Sequence, residues 1–252
     1  MKNRIEREKK AYDEDNIQEH SNKLHMKFRH VFESPNTIRH EKIFIDIIKG
    51  NIFGKRLLDI GCGLGISSWN LYSLGALYVH GVDISKRFIS EAKKKEIKGE
   101  LEFSNKNIME PIEETYDIIF GRAILHHIDY RTVLKRLYCS NLNHSGIMIF
   151  MEPLGSNLLL RLFYFIAKSA HTPDERSFLR QDLRWLRENF EDFEIIPINY
   201  LSLVFGILSS MIFSNPYNYL MRLSDKIDCW LGRNIKLLIP NFRAAIFIIK
   251  KK

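Results

Sequence analysis

The sequence predicts an α/β fold: a seven-stranded sheet with helices on both faces, an N-terminal helical segment, and a helical insert between the last two strands. Three observations carry that prediction. Short apolar runs alternate with helix-period stretches from residue 55 to about residue 151. A glycine-rich turn, Gly61-Cys62-Gly63-Leu64-Gly65, joins the first apolar run to the first helix of that series. An acidic residue, Asp83, closes the second apolar run, one helix and one strand further on. Alternation of this kind argues for a parallel sheet, and such sheets bind ligands beyond the carboxyl ends of their strands.

Residues 1–50 are polar and charged, and read as a helical cap or lid. Within them Ile38, Lys42, Ile45 and Ile48 suggest an amphipathic helix that stops at Gly50. The core is expected over 51–199. Its strands are predicted at 56–60, 78–82, 101–103, 116–121 and 147–151, the last after the turn Asn143-His144-Ser145-Gly146. Helices are predicted through about Leu74, over 86–96, and from an N-cap at Asp129 that precedes Val133, Leu134 and Leu137. Inserted helices are expected within 153–190. One covers 157–168. The other covers 176–189, with Leu179, Leu183, Leu186 and Phe190 as its buried stripe and Arg180, Arg184 and Arg187 on a wet face. Two last strands, 193–199 and 244–249, flank the apolar insert 200–240, and residues 241–252 return to the core.

The chain has 252 residues, 45% of them hydrophobic and 27% charged, so a packed core without disulfides is expected and wholesale disorder is not. Cys62, Cys139 and Cys229 are too scattered for a disulfide framework or a zinc knuckle, which points to a reducing cytoplasm. No His-x-His or Cys-x-x-Cys spacing calls for a metal. The opening run 1–19 is charged and has no apolar core of a signal peptide. The longest apolar stretch, 201–213, is shorter than the roughly 20 residues that span a bilayer. The net charge of +8 raises the prospect of an anionic partner, but the basic residues are dispersed and form no tail.

The strongest motif is Leu57-Leu58-Asp59-Ile60-Gly61-Cys62-Gly63-Leu64-Gly65. A dinucleotide fingerprint would place its third glycine where Ile66 stands. Asp83, in Gly81-Val82-Asp83-Ile84, can accept hydrogen bonds from both hydroxyls of a ribose. With Tyr116-Asp117-Ile118-Ile119-Phe120 and the 143–150 region, residues 50–152 resemble the class I S-adenosylmethionine (SAM)-dependent methyltransferases, whose sheet is Rossmann-like. The stretch Gly121-Arg122-Ala123-Ile124-Leu125-His126-His127-Ile128-Asp129 is similar to the small-molecule, type 11/25-like branch. The resemblance implies SAM as cofactor and S-adenosylhomocysteine as product. It assigns Asp59 and Gly61 to the methionine end, Cys62, Gly63 and Gly65 to the cofactor-binding loop, Asp83 and Ile84 to the ribose and adenine, and Asn107 and Ile108 to the adenine edge. Arg122 is expected beside the methionine or the substrate. Glu152-Pro153-Leu154-Gly155-Ser156-Asn157 and His171-Thr172-Pro173-Asp174-Glu175-Arg176 resemble paired signatures of a bacterial subgroup linked to saccharide and secondary-metabolite pathways.

Methyl transfer from a sulfonium needs alignment of donor and acceptor, and proton removal when the acceptor is a hydroxyl. His126 and His127 follow the fourth strand and are candidate bases, against the alternative that they pack under the cofactor. Glu152 is a candidate catalytic carboxylate or a structural hydrogen-bond acceptor for the neighbouring loop. His171, Asp174 and Arg176 are candidate substrate contacts, although Pro173-Asp174 equally suits a helix start. The insert 200–240 reads as a cap over the pocket, or else as a membrane-surface or homodimer contact. The expected activity is O-methylation of a small polar metabolite such as a sugar or glycoconjugate precursor, with no DNA partner. RNA is not favoured, because no Asp/Asn-Pro-Pro-Tyr-type motif follows the fourth strand. RNA methylation, lipid methylation and non-catalytic SAM binding are the competing readings.

Overall fold

The computed structural model describes residues 2–13, 16–157 and 176–252. Four helices lead: α1 (Lys2–Asp13), α2 (Asn16–Lys27), α3 (Arg29–Phe32) and α4 (Pro35–Lys49). The core follows as β1 (Arg56–Ile60), α5 (Ile66–Ser73), β2 (Tyr78–Asp83), α6 (Lys86–Ala92), β3 (Leu101–Asn105), β4 (Tyr116–Arg122), α7 (Tyr130–Arg136) and β5 (Leu142–Pro153). Then come α8 (Arg180–Asn189), β6 (Asp192–Ile198), α9 (Ser202–Ile212), α10 (Tyr219–Asn234) and β7 (Ala244–Lys250). The predicted helix over 157–168 lies mostly outside the described residues, as do His171 and Asp174.

All seven expected strands form one Rossmann-like sheet in the order β3-β2-β1-β4-β5-β7-β6. It is mixed, not wholly parallel. β7 enters between β5 and β6 and runs antiparallel to both. The excursion through α9 and α10 returns the chain to the end at which β6 finished, where Ala244 lies opposite Ile198, so the last strand runs back antiparallel. Between β1 and β4 the direction of winding changes. That reversal leaves a crevice at the carboxyl ends of β1, β2 and β4.

Period-two alternation divides the core into two layers. Leu58, Ile60, Ile119, Met148, Phe150 and Phe247 face α7 and α8, whose Val133, Leu134, Leu183 and Leu186 are buried against them. Leu57, Ile118, Phe120, Ile149 and Ile246 face the other way, towards Phe44 and Ile48 of α4, Leu71 of α5 and Ile89 of α6. Burying 25 apolar residues on one side and 20 on the other, at roughly 1.5–3 kcal/mol for each large side chain, supplies the main force that holds the layers together.

Several local details differ from expectation. α4 starts as its sequence suggests, with the Ser34 hydroxyl accepting from Thr37 N–H and Pro35 in the first turn. Its buried face is His40, Phe44 and Ile48, whereas Ile38 is exposed. The bulk of Phe44 rotates the core stripe away from the isoleucine-defined one. Asp129 stands at the start of α7, but its carboxylate accepts the Thr132 hydroxyl and no backbone N–H. α8 begins at Arg180 rather than 176, because Asp182 accepts from Leu179 N–H and closes the helix there. Arg180, Arg184 and Arg187 are exposed, as a wet face requires. The expected turn over 143–146 lies within β5 as an irregularity, with Ser145 at φ 59° and a register shift opposite Tyr116 and Ile118.

The insert forms α9 and α10, and it packs on the N-terminal helices. Gly206 lies so close to Val31 that an added Cβ would sit 2.6 Å from its methyl carbon. His30 Nδ1 is 2.9 Å from Ser209 Oγ, and Asp225 accepts from Asn36 and Arg39. Among the described residues, no helix is long and apolar enough to cross a membrane.

Candidate functional site

β1 is buried from Leu57 onward, as a central parallel strand must be, yet it carries a carboxylate, Asp59. Beyond it the backbone turns through Gly61 (φ 72°), Gly63 (φ 53°) and Gly65 (φ 72°), where a side chain would be strained. At Gly63 a Cβ would meet nothing within 4 Å, so the loop leaves open space on that side. At Gly65 it would meet the Phe103 ring at 2.6 Å. The first glycine is therefore needed for the turn beside the crevice, and the last for helix–sheet packing.

Asp83 holds the loop from the next strand. Its carboxylate accepts from Gly63 N–H at 2.9 Å and from Ser85 N–H at 2.8 Å. Burial raises its pKa, and these backbone hydrogen bonds work against that rise. Asp59 is more enclosed. Burial pushes its carboxyl up to about 7, despite a hydrogen bond of 2.6 Å from the Ser68 hydroxyl and the nearby charge of Arg122.

A cavity of about 270 Å³ opens at these strand ends, far more than the ~10–15 Å³ a single water needs. Gly61, Gly63, Asp83 and Ile84 line one side, and Asn107, Ile108 and Arg122 line another. Asn107 Oδ1 accepts from Met109 N–H at 3.0 Å, which leaves one of its lone pairs for any other partner. Arg122 donates to Glu41 at 2.6 Å and lies over the Phe44 ring at 4.6 Å, while its buried Nε has no partner among the described residues.

The loop after β4 closes the cavity. Ala123 is left-handed at φ 51°, a conformation that costs a non-glycine residue about 1–2 kcal/mol. It is held there by Ala123 N–H donating to Met151 and by the carboxylate of Glu152. Glu152 is 1% exposed. It accepts from Ile124 N–H and Leu125 N–H at 2.9 Å each, and from His126 Nδ1 at 2.8 Å. The two histidine rings lie 4.1 Å apart between centres, tilted by 41°, but part company in their surroundings. His127 lines the cavity, and its Nε2 is 3.2 Å from the hydroxyl of Tyr12 in α1. His126 turns inward to Glu152. Asp13 accepts from the Ser85 hydroxyl at 2.6 Å, so α1 is fastened across the cavity at two adjacent residues.

Residues 58–150 match the family described as "Methyltransferase domain". A ubiquinone biosynthesis O-methyltransferase of Shewanella sp. (strain ANA-3) is 30% identical over 121 residues, which are 46% of this chain and 50% of that protein. Residues 58–150 thus form a methyltransferase domain. Beyond it the likeness thins: the chain spans about half the length of that curated relative. Among solved structures, phosphoethanolamine N-methyltransferase 2 of Haemonchus contortus is similar in fold, with a TM-score of 0.57, 18% identity, and 84% of this chain and 53% of that chain covered. So is a geranyl diphosphate C-methyltransferase of Streptomyces coelicolor A3(2), with a TM-score of 0.58, 12% identity, and 86% and 80% covered.

Within the methyltransferase domain the expected residues fall into two groups. Gly61, Gly63, Asp83, Ile84, Asn107, Ile108, Arg122 and His127 line the cavity. Asp59, Cys62, Gly65, His126 and Glu152 stand behind it. The Cys62 thiol is buried among core side chains and its pKa is raised, so it is a packing group here. Glu152, a candidate catalytic group in the sequence, spends its lone pairs on the loop and does not line the cavity. Arg176 pairs with Asp182 at 3.4 Å, and only its backbone N–H reaches the loop, at His126 O. No residue of 200–240 lines the cavity, so the expected cap over the pocket is corrected: that insert rests on α3 and α4. Tyr12, Phe88, Lys106 and Ile128 line the cavity without having been singled out. Tyr12 had no local signal, because its partner is 115 residues away.

Proposed function

We propose that the protein is a SAM-dependent methyltransferase that methylates a small polar molecule on oxygen, with a sugar or glycoconjugate precursor or a secondary metabolite as the favoured acceptor. The observation that carries this reading is one cavity lined both by the Gly61–Gly63/Asp83 loop and by His127. The residues present fit the donor. Open space beside Gly63 admits a ligand against the backbone, Asp83 keeps lone pairs for a ribose, and the buried Arg122 Nε, which has no acceptor among the described residues, suits a carboxylate. SAM, when bound, supplies an electrophilic methyl group on a sulfonium. Gly61, Gly63 and Arg122 would hold its amino-acid end, Asp83 and Ile84 its ribose and adenine, and Asn107 and Ile108 the adenine edge.

The remaining chemistry falls to the loop after β4. An acceptor hydroxyl near His127 can pass its proton to Nε2, the atom now shared with the Tyr12 hydroxyl. Tyr12 thereby orients the ring and covers the cavity, which lowers the local water content. Glu152 acts through the backbone: it fixes residues 124–126 and so the direction in which His127 projects. α1 serves as a lid, fastened by Tyr12 and Asp13. An O-methyltransferase among the curated relatives supports transfer to oxygen.

Transfer of labelled methyl from SAM into a fractionated host extract, with Asp83→Ala as control, tests this. Label in small water-soluble molecules that disappears in the variant is expected. Label in RNA, protein or lipid would overturn the acceptor class, and SAM binding without any turnover would favour a non-catalytic SAM-binding protein.

A further inference from the structure

Away from the cavity, the outer faces of α9 and α10 form a surface that nothing in the described residues covers. α9 is 11 residues long, and its two sides differ sharply. Leu203, Gly206 and Ser209 face α3, whereas Val204, Ile207, Leu208, Met211 and Ile212 recur at i, i+3, i+4, i+7 and i+8 on the opposite side and are all exposed. Met211 is 79% exposed and Ile212 69%. In a water-soluble helix that face would be polar. α10 repeats the pattern with Tyr219, Leu223 and Trp230 outward, and Arg222, Lys226 and Arg233 share their 100°-wide arc. Met221, Ser224 and Asp228 occupy the buried side.

The charges decide what such a surface fits. From residue 200 to 240 the exposed ionised side chains are Arg222, Lys226, Arg233 and Lys236, all basic. The two acids of the segment are turned inward. Asp228 is 2% exposed and accepts from the N–H groups of Tyr200, Leu201 and Ser202, while Asp225 pairs with Arg39 and Asn36. An apolar ridge flanked only by cations, with Trp and Tyr at its margin, matches a boundary that is apolar below and anionic above. Long basic side chains can lie along the ridge and keep their charged ends in the headgroup layer.

We propose that α9 and α10 dock this protein on an anionic phospholipid bilayer, lying in the interface and not crossing it. This docking is independent of which acceptor the cavity takes. It holds the catalytic domain at a membrane by a face that lines no part of the cavity.

Co-sedimentation of the full-length protein with vesicles tests it, comparing phosphatidylcholine alone with phosphatidylcholine containing about 30% phosphatidylserine. Each cation near such a surface strengthens binding by about fivefold. The protein is expected to bind the anionic vesicles at least about tenfold more tightly, with a blue shift in Trp230 fluorescence and weakening as salt rises. Met211→Glu with Ile212→Glu should abolish binding, and Arg222→Ala with Lys226→Ala should weaken it about 25-fold on anionic vesicles only. SAM affinity and melting temperature, unchanged in both variants, show that they fold. Absence of binding to either vesicle, or undiminished binding of the Met211→Glu/Ile212→Glu variant, would overturn the proposal. So would a concentration-dependent dimer in ultracentrifugation that this variant dissociates and vesicles do not, since the face would then belong to a second copy.

Discussion

Replacing Glu152 by Gln is the sharpest perturbation of the loop that carries His127. The carboxylate accepts three short hydrogen bonds, from Ile124 N–H, Leu125 N–H and His126 Nδ1, and a longer one of 3.4 Å from His126 N–H. It is 1% exposed, so water cannot take its place. Hydrogen bonds to an ionised acceptor are about twice as strong as neutral ones, so neutralising the group removes about 1 kcal/mol from each of the three. The amide nitrogen then faces His126 Nδ1, which must surrender its proton to Nε2 to remain paired. The sum is a loss of about 3 kcal/mol in stability, equivalent to about 6–12 °C in melting temperature for a chain of this size. Urea unfolding and calorimetry read the stability, and isothermal titration with SAM together with methyl-transfer rates reads function. If Glu152 acts by positioning, turnover should fall well beyond SAM affinity, because the glycine loop and Asp83 do not depend on it. A variant with wild-type stability and wild-type turnover would refute the reasoning.

Asp59 sets a pH dependence: its carboxyl titrates at about 7 in the folded chain against an ordinary value of 3.8, so the folded state holds the proton longer. Its contribution to stability is complete below about pH 4 and is lost as pH rises through about 7, up to about 4 kcal/mol in all, and Asp59→Asn should flatten that part of the urea-midpoint profile. Asp83→Ala leaves Gly63 N–H and Ser85 N–H without their acceptor, and SAM affinity in titration calorimetry should drop by about 10- to 100-fold at ~1.5–3 kcal/mol for one charged hydrogen bond. Tyr12→Phe removes the contact with His127 Nε2; single-turnover kinetics should show slower methyl transfer and a shifted pH profile with SAM affinity unchanged, and an unaltered rate and profile would remove Tyr12 from the chemistry.

Much of the fold was legible from local chemistry. The strand runs, the glycine loop and Asp83 announce themselves because period-two burial, positive φ and strand-end carboxylates act within a few residues of one another. Seven strands and the cavity-lining Gly61, Gly63 and Asp83 follow from such rules, whereas Ile84, Asn107, Ile108 and Arg122, which also line the cavity, were implied only by the resemblance to the methyltransferases. Long-range pairing is a different matter. The union of Tyr12 with His127, of Glu41 with Arg122 and of Glu152 with residues 124–126 joins segments 26 to 115 residues apart. No local pattern encodes those unions. His126 and His127, identical and adjacent in sequence, were separated only when the turn at Ala123 sent one ring to Glu152 and the other into the cavity. The insert 200–240 showed its apolar character at once, but its place on α3 and α4 was decided by tertiary packing. Small residues at Gly206 and Ser209 let α9 approach α3 closely there, and the choice of neighbour depends on the summed fit of distant surfaces.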